Sequence, residues 1–207
     1  MIFVDVLMII FLFVMFSFPH SILASLSFKN KLHERIGSRI AFYRIFYNLF
    51  SLMSFYLFYI ISPKPAINIY DLDYPFDIMM LLFQVLSLLG LWWAAKPINL
   101  KEFLGVDQVI RYLQNKYSSE ELDELPKLHF ENGFKYVRHP IYFFSILFLG
   151  FRPSMDLFYL VMFVLIIIYF YVGSIYEEKK LVNIFGVQYV EYQQKVPRMF
   201  PIKLFNK

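Results

Sequence analysis

The sequence predicts an all-α polytopic membrane protein, with about five transmembrane helices and cytoplasmic amphipathic helices. Three observations predict it. Apolar residues make up 59% of the 207 and charged residues only 17%, a balance that soluble domains of this size rarely show. The apolar residues fall in blocks of about 20, the length that crosses the hydrocarbon core of a bilayer. Basic residues gather in the short segments between blocks, as they do in cytoplasmic loops.

The first span is expected at 3–26. No Lys or Arg precedes it and the run is longer than a signal-peptide core, so it reads as a span and not a cleaved leader. The second is expected at 43–62 and the third at 76–95. The fourth and fifth form a hairpin at 139–152 and 155–176 that turns at Arg152-Pro153-Ser154. Fourteen residues reach only about 21 Å, so the fourth tilts or stops short of the far face. Lys29, Lys31, Arg35, Arg39 and Arg44 oppose a lone Glu34 in the first loop, whereas Lys64 meets Asp71, Asp73 and Asp77 in the second. The positive-inside rule then puts the N-terminus outside and the C-terminus in the cytoplasm.

Residues 96–138 make a long cytoplasmic loop between three N-terminal spans (1–95) and the C-terminal hairpin and helix (139–207), all within a single membrane domain. Phe103, Val106, Ile110, Leu113 and Tyr117 recur at helical spacing and predict one amphipathic helix. Glu120, Glu121, Asp123 and Glu124 read as a solvated turn. Leu181, Phe185, Tyr189 and Tyr192 predict a second amphipathic helix after the last span.

Several chemistries are excluded. There is no cysteine, hence no disulfide or thiolate metal site. The four histidines, His20, His33, His129 and His139, lack paired metal-ligand spacing, and no metal site is expected. The seven glycines form neither a G-x-G-x-x-G motif nor a P-loop. The net charge of +4 belongs to loops flanking spans, so no nucleic-acid partner is expected.

The residues with chemical potential lie at the span ends. Pro140 suits the first turn of a helix, which places His139 beside unpaired backbone donors and Arg138 just outside, able to grip a carboxylate in two-pronged fashion. The same trio also reads as an ordinary interfacial helix start. Glu177 and Glu178 end the last span; adjacent helical positions diverge by about 100°, so one faces inward and the other away. Acidic groups at such depth are functional candidates, although a polar helix end has the same composition. His20 with Ser21, and Arg44 with Asn48 one turn into the second span, form either a substrate-side polar cluster or interhelical hydrogen bonds.

Gly133 through Pro140 with Tyr142, then Glu177-Glu178, Leu181, Phe185-Gly186, Tyr189, Tyr192 and Val196-Pro197, resemble the C-terminal half of the isoprenylcysteine carboxyl methyltransferase superfamily. His20 to Ser25, Tyr43 to Asn48, Glu102 to Gly105 and Arg152 to Met155 are similar to a bacterial branch with methanethiol S-methyltransferase-like proteins. The resemblance implies an integral membrane enzyme that uses S-adenosylmethionine and admits its substrate sideways from the lipid. It implies a cofactor pocket lined by Tyr136, Val137, His139, Pro140, Tyr142, Glu177, Glu178, Leu181, Phe185 and Tyr189. Two positions depart from the pattern: Phe134 stands where Pro is common and Phe144 where Gly is common, which implies a narrowed or reshaped pocket.

The expected reaction is methyl transfer to a small or lipophilic thiol or carboxylate, with His20, Arg44 and Arg138 as candidate catalytic residues. Two alternatives remain at this level: an NADPH-dependent membrane reductase of steroid or sterol type, or a non-enzymatic accessory membrane protein of a respiratory complex. The expected location is a bacterial inner membrane.

Overall fold

The computed structural model describes residues 1–118 and 128–201. The acidic run Glu120 to Glu124 lies outside the described residues. Among the described residues the fold is helical apart from one two-stranded sheet: α1 (Ile2–Ala24), α2 (Leu26–Ile36), a 3₁₀ turn (Gly37–Phe42), α3 (Tyr43–Ile61), β1 (Asn68–Asp71), α4 (Phe76–Ala95), α5 (Leu100–Leu104), α6 (Val106–Leu113), a 3₁₀ turn (Asn132–Lys135), α7 (Pro140–Gly150), β2 (Ser154–Asp156), α8 (Leu157–Phe185) and α9 (Val187–Lys195). Four stretches are long and apolar enough to cross a membrane: α1, α3 with α2 leading into it, α4 and α8. Their outward side chains, such as Phe3, Leu52, Leu82 and Ile168, are exposed apolar groups, which in a bilayer face lipid and not water. The chain is an integral membrane protein.

The expected fourth span is shorter still, 11 residues in α7, about 16 Å at helical rise. The last span is longer than expected. No breaker follows Lys179 and Lys180, so α8 runs on to Gly186, whose φ of 56° ends it. Glu177 and Glu178 therefore lie inside a helix and not at its end. The second amphipathic stripe is divided accordingly: Leu181 and Phe185 belong to α8, Tyr189 and Tyr192 to α9.

Two compact units divide the chain. One contains Leu7–Pro63 and Ile98–Pro126. Within it, Ser25 caps α2 by accepting the Phe28 N–H, and Asn99 caps α5 by accepting from Lys101 and Glu102. The single helix expected from Phe103 to Tyr117 is two helices, because Gly105 adopts φ 91° between α5 and α6. A Cβ there would come within 2.9 Å of Arg44 Cβ and of the Ile45 nitrogen, so the corner needs glycine for its conformation and for space. Glu102 holds the corner through a two-pronged pair with Arg111, both contacts 3.0 Å.

The other unit contains Met1–Val6, Lys64–Pro97 and Lys127–Lys207. Its main packing is α4 against α7. Gly90 makes that approach possible: a Cβ there would lie 2.2 Å from the Phe144 ring. Phe144, expected to narrow a pocket, is thus directed into α4, where it also meets the Trp93 edge at 6.5 Å. Gly90→Ala is expected to destabilise the protein by about 1–3 kcal/mol through overpacking. Phe144→Ala should cost less in that background than in wild type, read as melting temperatures in detergent.

β1 and β2 pair antiparallel, with Tyr70 opposite Met155 and Asp71 opposite Ser154. The turn at Arg152-Pro153-Ser154 is anchored there: Tyr70 donates to the Arg152 carbonyl (3.1 Å) and the Leu72 N–H to that of Pro153 (3.0 Å). Asp156 then caps α8 by accepting the Tyr159 N–H.

Candidate active site

The site is built on Glu178. It follows Ser174 by four residues on α8, and both are buried on one face of the helix. Its side chain is among the most enclosed in the chain, 2% exposed. An isolated buried carboxylate is strongly disfavoured, and here donors surround it. Arg138 grips both oxygens, Nε to Oε1 at 2.8 Å and Nη2 to Oε2 at 3.0 Å. His139 Nε2 lies 3.2 Å from Oε1. Gln193 Nε2 donates at 2.9 Å and Arg198 Nη2 at 3.0 Å, both to Oε2.

The tail after α9 explains how Arg138 and His139 are held. The Arg138 N–H donates to the Pro197 carbonyl (2.9 Å) and the His139 N–H to that of Arg198 (3.0 Å). Arg138 Nη1 also donates to the carbonyls of Gln193 and Val196. The guanidinium is thus directed at Glu178 and two carbonyls, a geometry that positions the carboxylate. Pro140 opens α7 at its first helical position, and Gly133 packs against it where a Cβ would come within 2.6 Å.

Glu177 occupies the neighbouring face of α8, with its side chain 51% exposed. It accepts from the Tyr142 hydroxyl at 3.1 Å and lies 3.4 Å from His139 Nδ1. Both ring nitrogens of His139 therefore face carboxylates, the pattern of an imidazolium with two donors. Burial disfavours that charge, but hydrogen bonds and attraction from Glu177 and Glu178 outweigh it and raise the pKa above the ordinary 6.5. Tyr142 stacks on His139 (5.3 Å, 6°) and on Phe170 (4.5 Å, 9°). On α9, burial pushes the Tyr189 and Tyr192 phenols up. The Tyr192 hydroxyl donates to the Phe134 carbonyl.

The raised His139 pKa has a defined sign. Its contribution to stability is complete below about pH 6.5 and is lost as pH rises through the higher folded-state value. The melting-temperature advantage of wild type over His139→Gln should accordingly shrink as pH rises above about 6.5. A constant or growing difference would show that the imidazolium does not form.

The structure therefore brings together Arg138, His139, Tyr142, Glu177 and Glu178. Val137, Pro140 and Tyr189 are packed against protein, whereas Tyr136 is exposed and Leu181 and Phe185 are partly so. Sequence reasoning missed Gln193 and Arg198. Arg198 directly follows the Val196-Pro197 pair, and a buried acid that needs several cations was the available signal.

His20 and Arg44 belong to the other unit. Ser51 donates its hydroxyl hydrogen to the Tyr47 carbonyl (2.7 Å), so at 2.9 Å it accepts from His20 Nδ1. His20 Nε2 is then the acceptor for the Tyr47 hydroxyl, also at 2.9 Å. Arg44 Nε donates to the Phe103 carbonyl at 2.8 Å, and Asn48 to those of Phe103 and Leu104. Arg44 and Asn48 together bind the end of α5 to α3. Among the described residues no group of His, Asp and Glu side chains is arranged to hold a metal ion.

Known proteins resemble the chain along most of its length. Methanethiol S-methyltransferase 1 of Bradyrhizobium diazoefficiens is 30% identical over 92% of this chain, and the chain spans 65% of that protein, just under two thirds. The methanethiol S-methyltransferase of Crocosphaera subtropica is 30% identical over 90% of this chain and 71% of its own length. That of Pseudomonas deceptionensis is 33% identical over 48% of this chain and 36% of its own. No protein-family model and no solved structure matches the chain. Shared identity across nine-tenths of the chain, with the Arg-His-Pro segment and glutamate pair in direct contact, places it: the chain belongs to the methanethiol S-methyltransferase-like family of membrane proteins.

Proposed function

We propose that the chain is an S-adenosylmethionine-dependent membrane methyltransferase whose acceptor is a small thiol of the methanethiol kind. The observation that carries this reading is the cluster of Glu178 with Arg138, His139 and Arg198, beside an accessible second carboxylate. The residues present suit such a cofactor. Arg198 Nε is buried without a hydrogen-bond partner among the described residues, a donor in place for a ligand oxygen or nitrogen. Glu177 offers a carboxylate to a cationic ligand, and Tyr142 and Phe170 offer aromatic faces. Tyr136, Leu181 and Phe185 complete the accessible set.

When bound, the cofactor supplies an electrophilic methyl on positively charged sulfur. The protein's part is to bind, align and exclude water. Arg138 and Glu178 act as positioning residues that fix His139 and the α9 tail. A thiol of ordinary pKa, about 8.5, is mostly protonated at neutral pH, and its attack needs a proton acceptor. His20, whose Nε2 accepts from the Tyr47 hydroxyl at 2.9 Å, is the residue we propose for that role. From the loop charges we further propose a bacterial inner membrane with the C-terminus on the cytoplasmic side, and an acceptor that enters from the lipid.

Calorimetry on the purified protein tests the cofactor. S-adenosylmethionine should bind saturably and NADPH should not. Binding of NADPH alone would replace this reading with a reductase.

A further inference from the structure

A groove of about 380 Å³ opens in the unit formed by Leu7–Pro63 and Ile98–Pro126, within the range of small-molecule sites. Leu23, Phe28, Leu32, Phe42 and Phe46 contribute to its wall, and Arg39 is the charged side chain among its lining residues. The end of α1, the start of α3 and the whole of α2 meet there. Two apolar spans end at that level, so the groove lies where acyl chains give way to headgroups.

The sequence of α2 suits that boundary. Phe28, Leu32 and Ile36 recur every four residues and all line the groove. Lys31 and Arg35 lie on the remaining surface and are exposed, as is Arg39 in the following turn. Among the described residues no carboxylate pairs with Arg39. The Tyr43 hydroxyl, which also borders the groove, already donates to the Leu23 carbonyl at 2.7 Å. The groove thus presents an apolar trough with a cationic rim.

We propose that it binds one anionic phospholipid, with an acyl chain along Leu23, Phe28, Leu32 and Phe46 and the headgroup phosphate at Arg39. A guanidinium matches phosphate oxygens in charge and in forked geometry. Lys31 and Arg35 add attraction to an anionic headgroup. A zwitterionic lipid of the same chains fills the trough equally well but gains less at the rim. None of the residues that line the groove is among those assigned to methyl transfer.

Native mass spectrometry of the full chain, released from detergent containing equimolar phosphatidylglycerol and phosphatidylcholine of identical chains, tests this. The wild type should retain one phosphatidylglycerol with at least fivefold preference. Arg39→Gln should bring that preference close to unity, and Leu32→Trp, which fills the trough, should lose both lipids. Lys101→Gln, an exposed charge on α5, should leave the preference intact. Equal retention of the two lipids by wild type, an unchanged preference in Arg39→Gln, or an equal loss in Lys101→Gln would each overturn the proposal. Displacement of the lipid by a neutral lipophilic thiol would identify the groove as an acceptor site instead.

Discussion

Replacing Glu178 with glutamine should lower stability by about 3–5 kcal/mol, the usual cost of removing one partner from a buried ionic cluster. The substitution leaves Arg138, His139 and Arg198 converging without the anion that neutralises them, although Gln preserves shape. The tail after α9 should loosen as well, because Gln193 and Arg198 both reach Glu178. Affinity for S-adenosylmethionine should fall at least tenfold. Glu177→Gln separates the two consequences. Its side chain is half-exposed, so stability should change by less than about 0.5 kcal/mol, while cofactor affinity should fall by a similar factor. Melting temperature and calorimetry on both variants check this; matched stability losses would assign Glu177 to the scaffold.

His20→Ala should reduce kcat by about 10²–10⁴-fold, the range for loss of a positioned general base, with little change in cofactor affinity. Tyr47→Phe should have a smaller effect of the same kind, since it removes the hydroxyl that bonds His20 Nε2. The loss should diminish at alkaline pH, where the thiol ionises without help. A merely structural hydrogen bond between α1 and α3 would instead lower the melting temperature and leave the pH–rate profile unchanged in shape. A KM increase with constant kcat would likewise move His20 out of proton transfer.

α1, α3, α4 and α8 were legible because each holds a long apolar run, and a bilayer reads length and composition directly, whereas α7 is too short to be read that way. The contact between His139 and the glutamates was legible as a pattern, but the choice between Glu177 and Glu178 was not. That choice depends on the phase of α8. Ser174 and Glu178, four apart and both buried, fix it, whereas the helix before Ser174 is apolar on every face and gives no phase. The break at Gly105 was hidden for a different reason. The apolar spacing from Phe103 to Leu113 continues across the corner, so periodicity alone cannot distinguish one helix from two. β1 and β2 are four and three residues long, too short to show alternation. Arg198 stayed unseen because its role exists only once the tail runs beside Arg138 and His139.

Methyl transfer from labelled S-adenosylmethionine to methanethiol, by the purified full chain in lipid nanodiscs, is the decisive measurement. Wild type should form a labelled thioether, and Glu178→Gln and His20→Ala should form far less. Saturable cofactor binding with no label in any thiol, or label that appears equally in both variants, would contradict the proposed function.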